Sequence, residues 1–149
     1  MTGNLKELKA IASRLNESSD ALNDSLCQIN AKLNKINVGL TVWLEDPPLS
    51  MRSFEDLTDK LEFLGYAKTS KGWGLAVKSI TDQHGFSEGD PDSPYIDRIE
   101  GAIRPPMKTS RDLRVEATKL LPQLIELVRE RAESAIEGIE KDKKLAADL

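Results

Sequence analysis

With 149 residues, 31% of them charged and 39% hydrophobic, the chain is long enough to bury one core and too short to hold two. A formal charge of −4 argues against nonspecific nucleic-acid binding and against anionic membrane surfaces, since both depend on a positive field. Cys27, the single cysteine, excludes an intramolecular disulfide, and no apolar run approaches the roughly 20 residues of a membrane-spanning helix; without an export signal at the N-terminus, the expected compartment is the cytoplasm.

The first predicted element is a long helix over 4–37. Its apolar residues step by three and four, giving Leu5, Ala12, Ser19, Leu26 and Leu33 at heptad position a and Leu8, Leu15, Leu22, Ile29 and Ile36 at d. Asn4 and Glu7 resemble a capping box at its start. The small Ala12 and Ser19 at consecutive a positions predict close helix approach in the first half. Asn16, Asn23, Asn30 and Asn37 recur by sevens at e and read as a polar flank to the seam.

After Asn37 the period changes to two. Val38, Leu40, Val42 and Leu44 share one face of a predicted strand that Pro47 and Pro48 terminate. Two further strands, LGYAKTS and GWGLAVKSIT, are separated by a turn at Lys71 and Gly72, so a three-stranded antiparallel meander is expected. The following stretch to Pro106 is rich in Gly, Pro, Asp and Ser and reads mostly as loop, with room for a strand or a helical turn over 95–103. This middle segment, 38–107, holds the acidity: seven basic side chains against twelve acidic. A second helix is predicted over 109–145, capped by Thr109 or Ser110, with its apolar stripe continuing past Pro122 and a kink expected near Thr118.

Most chemistry-bearing residues stand alone in the sequence. His84 lies in a predicted loop with no nucleophile beside it, and Cys27 has no neighbour to lower its pKa. Glu88, Asp90, Asp92 and Asp97 lack the spacing of a calcium loop, and Gly65, Gly72 and Gly74 form no phosphate-binding motif. No cofactor or metal is implied. Trp43, Tyr66 and Trp73 all belong to the predicted sheet, where core packing is the expectation and an exposed aromatic platform the alternative. One local misfit stands out: Lys108, Arg111 and Arg114, with Arg104 upstream, crowd a helix start whose dipole favours negative charge. They suggest an anion site at Arg104, Arg111 and Arg114, or pairing with the acidic middle segment.

These readings define an α+β fold in a single domain, 1–149, with two long helices packed side by side and a small antiparallel sheet over 38–107. The expected function is a non-enzymatic interaction module that assembles with itself or another protein through Leu15, Leu22, Leu26, Ile29, Leu33 and Ile36. A small ligand-binding regulator or enzyme using the arginine cluster is the alternative. If the seam instead closes within a monomer, Leu26→Asp should unfold the whole chain.

Overall fold

Opposite residues in an antiparallel pair share a face, and the register therefore sorts the sheet side chains. Val42 faces Tyr66, Leu44 faces Leu64, Leu64 faces Val77 and Tyr66 faces Leu75, so the largest buried aliphatic and aromatic groups meet on one side. A computed structural model describing residues 2–86 and 92–149 shows two long helices closing that side, α1 over Thr2–Ile36 and α2 over Arg111–Ala147. Helix α1 supplies Leu26 to the core and α2 supplies Ala117, Leu121, Leu124 and Val128. The fold is α+β. Neither helix is long and apolar enough to cross a membrane.

Among the described residues the sheet has five antiparallel strands rather than the three expected: β1 (Val42–Leu44), β2 (Ser50–Ser53), β3 (Thr58–Thr69), β4 (Gly72–Phe86) and β5 (Pro94–Arg104). Their order is β1-β3-β4-β5, with β2 sharing the outer edge of β3 beside β1. Three differences from the sequence reading have physical causes. Val38 and Leu40 pack against the core without pairing as strand, so β1 begins only at Val42. Strand β2 is too short and polar to carry a pattern, and its backbone is ordered by pairing with Leu61 and Lys60. Strand β5 takes the strand alternative that the sequence leaves open at 95–103; its pattern is weak because both of its faces are exposed, with Tyr95, Ile96, Ile99 and Ile103 scattered among charged residues rather than alternating with them. A register shift between Lys78 and Ile80 gives β5 one extra residue there, a bulge.

The helix boundaries follow local chemistry. Asn37, at φ +49°, ends α1 in the left-handed conformation, with its N–H donating to the Leu33 carbonyl. At its other end α1 already includes Thr2, upstream of the expected Asn4 start. Ser110 caps α2, its hydroxyl accepting the Leu113 N–H at 3.3 Å. Helix α2 then runs unbroken through Pro122, which lies on an exposed side. Between β5 and α2, a short 3-10 turn at Pro106–Lys108 turns the chain back toward the helical layer.

Candidate interaction surface

The seam of α1 is divided. Leu22, Leu26, Ile29 and Leu33 pack into or against the protein's own core, Leu26 to 2% exposure. The same stripe continues toward the N-terminus without cover: Leu5 is 72% exposed, Leu8 60%, Ile11 58% and Leu15 49%. Every residue from Gly3 to Ser18 is exposed, and Ser19 is the first partly covered. Ile36, at the other end, is also exposed. Of the six seam residues expected from sequence, the structure thus turns four inward and leaves Leu15 and Ile36 at the surface.

A polar clamp fixes where this division falls. Strand β5 pairs with β4 only from Val77 onward, which leaves the edge of β4 between Gly72 and Ala76 without a neighbouring strand among the described residues. Asn30 and Asn34, one helical turn apart on α1, take its place. Asn30 Oδ1 accepts the Leu75 N–H at 2.7 Å and Asn34 Nδ2 donates to the Trp73 carbonyl at 2.8 Å. Two side-chain amides thereby satisfy backbone groups that an edge would otherwise expose. Close approach requires glycine beneath them. A Cβ on Gly74 would stand 2.1 Å from Asn30 Oδ1, and one on Gly72 would stand 2.9 Å from Asn34 Nδ2. The heptad asparagines are therefore no uniform flank: Asn30 holds a sheet edge and Asn37 ends the helix. Asn23 places its Oδ1 in the interior without a hydrogen-bond partner among the described residues, and Asn16 is exposed.

The arginine cluster is largely committed inside the protein. Arg104 donates to the Ser79 hydroxyl at 2.6 Å and to the Glu62 carboxylate at 3.3 Å, a pairing with the acidic middle segment. Arg114 turns back onto the Thr109 carbonyl, with its Nε buried and without a partner among the described residues, and Arg111 is exposed. His84 belongs to β4 rather than to a loop, and its Nε2 meets Asp59 Oδ2 at 2.7 Å. The Ser53 hydroxyl, and after it His84, hold the Asp59 carboxyl below the usual carboxylate range. Beside them the buried Asp82 accepts two bonds from Arg98, at 2.8 and 2.9 Å, which lower its pKa in turn. These strand-to-strand pairs tie the distal part of the sheet.

Tyr66 and Trp73 stack at 5.7 Å on the helix-covered face, as core packing requires. Trp43 lies on the opposite face, against Gly65, with Lys78 Nζ 4.7 Å above its ring. The three aromatics do not form one platform. Glu88 and Asp90 of the acidic cluster lie outside the described residues. Among the described residues, no three His, Cys, Asp or Glu side chains converge as metal ligands would. Cys27 is exposed. A cleft of about 360 Å³ opens between the end of α1 and the middle of α2, lined chiefly by Leu33, Ile36, Tyr66, Ile125, Val128 and Ile136.

Two helices on one face of an antiparallel sheet, five-stranded among the described residues, make the fold class α+β. No protein-family model, no curated protein and no solved structure matches the chain.

Sequence reasoning left β5 undecided between strand and helical turn, and missed β2 and the amide clamp. The signal for the clamp was present in the Asn-x-x-x-Asn spacing of Asn30 and Asn34 and in Gly72-Trp73-Gly74, but nothing local connects residues 39 to 45 positions apart.

Proposed function

We propose that the chain is a non-enzymatic assembly module that engages a helical partner through residues 3–17 of α1. The single observation behind this reading is the contrast along one continuous stripe. Leu26 is buried in the protein's own core, whereas Leu5, Leu8, Ile11 and Leu15, in the same periodicity, are exposed. Burying each of these would contribute on the order of 1–2 kcal/mol, given that each is already partly covered by its own helix. A long helix that keeps only half of its apolar stripe at home has the other half available for a partner.

The test compares two variants by light scattering, circular dichroism and capture of binding proteins at near-physiological salt. Leu8→Asp combined with Leu15→Asp should keep the melting temperature within a few degrees and abolish association. Leu26→Asp should unfold the chain, because it places a charge in the core. If the double variant keeps both its mass in solution and its captured proteins, the projecting stripe is not an assembly surface and the proposal fails.

A further inference from the structure

We infer that the partner of the projecting helix is a second copy of this chain, packed antiparallel over residues 3–17 of both helices. This rests on the assembly reading above and assigns its occupant.

The inference comes from the arrangement of size and charge on the exposed half of α1. With Ile11 at position g, the apolar arc spans positions g, d and a, and its borders are position c on one side and e on the other. Position c carries Glu7 and Arg14, of opposite sign; position e carries Lys9 and Asn16. No ion pair engages Glu7 or Arg14 among the described residues.

In an antiparallel pair related by a two-fold axis, the c border of one helix meets the c border of the other. Setting Leu8 opposite Ala12 of the second copy also sets Leu5 opposite Leu15, and a large residue meets a small one in the central layers. That register brings Glu7 beside Arg14 of the second copy, and the two-fold axis repeats the pair. It also keeps the overlap within the exposed segment, because Ser19, the first partly covered residue, lies just beyond it. A parallel pair would instead oppose the c border to the e border. There the attraction of Glu7 for Lys9 is countered by repulsion between Arg14 and Lys9. Isologous, self-complementary contacts of this kind are the commonest route to a homodimer.

Sedimentation equilibrium at low salt tests both the occupant and the direction, with circular dichroism confirming that each variant is folded. Wild type should be a dimer. Glu7→Arg and Arg14→Glu each place two like-charged pairs across the axis and should each raise the dimer Kd about tenfold. The double variant Glu7→Arg/Arg14→Glu should restore it, and an equimolar mixture of the two single variants should form the heterodimer in preference to either homodimer. A wild-type chain that stays monomeric at its highest soluble concentration overturns the second-copy assignment, while capture of another protein lost in Leu8→Asp/Leu15→Asp would still uphold the seam. A dimer that disperses with Leu8→Asp but shows no rescue by charge exchange overturns the antiparallel register alone.

Discussion

Gly74→Ala should be damaging, although it replaces one small residue by another in a strand. The new Cβ would stand 2.1 Å from Asn30 Oδ1, well inside van der Waals contact. Asn30 must then swing away, which strands the Leu75 N–H beside a side chain that is 1% exposed. An unsatisfied buried N–H costs about 1–3 kcal/mol, and displacement of a packed helix adds a comparable overpacking term. Taken together a loss of about 3 kcal/mol is expected, which for a chain of this length lowers the melting temperature by roughly 6–12 °C. The control is Gly138→Ala, where the added Cβ meets nothing within 4 Å on an exposed helix and should stabilise by up to about 1 kcal/mol. Urea unfolding of wild type, Gly74→Ala, Asn30→Ala and the double variant completes the cycle. With Asn30 already truncated, the added methyl should cost less than half as much. Strict additivity, or a Gly74→Ala variant as stable as wild type, would show that Asn30 does not hold the β4 edge.

Three further outcomes are expected. Ser110→Ala removes the cap that accepts the Leu113 N–H and should destabilise by about 1 kcal/mol in thermal or urea unfolding. Asp82→Asn should cost about 1–2 kcal/mol near neutral pH, discounted because Arg98 is half exposed. Since Arg98 lowers the folded-state pKa of Asp82, its contribution is present above the unfolded carboxylate value and is lost as pH falls through the lowered folded value; the gap between Asp82→Asn and wild type should therefore close at acid pH. Gly65→Ala would set a Cβ 2.2 Å from Trp43 Cε3 and 2.5 Å from the Val42 carbonyl. In a Trp73→Phe background, Trp43 fluorescence should shift to the red as the ring lifts from the sheet, with a loss of about 2 kcal/mol.

How much of this was legible in the sequence depended on whether a residue's neighbours are near it along the chain. The two helices, the Lys71–Gly72 turn and the Ser110 cap rest on local periodicity and capping, and each lies within about two residues of the expected place. The alternation of Val38, Leu40, Val42 and Leu44 identified the inward face correctly while overstating the length of strand. Strand β5 could be read only as one of two alternatives at 95–103, because it is ordered by pairing with β4 rather than by an apolar face, and no alternation marks a strand exposed on both sides. The heptads of α1 showed an apolar stripe, but periodicity carries no information on how far the sheet extends beneath a helix. That boundary between covered and uncovered leucines exists only in three dimensions. The same holds for Arg104, whose partners Glu62 and Ser79 lie 42 and 25 positions away.

The amide clamp also bears on the order in which the molecule assembles. Strands β3 and β4 pair through twelve successive residues across a two-residue connection, so every contact after the first closes only a small additional loop. Docking α1 requires closure over 39 and 45 positions before Asn34 and Asn30 find the Trp73 carbonyl and the Leu75 N–H. Contacts between residues distant in sequence slow folding, so the hairpin should form first and present its open edge as a template for the helix. Pulse-labelled hydrogen exchange would then show amides paired between β3 and β4 protected ahead of Leu75, whose N–H gains its acceptor only when the N-terminal helix arrives.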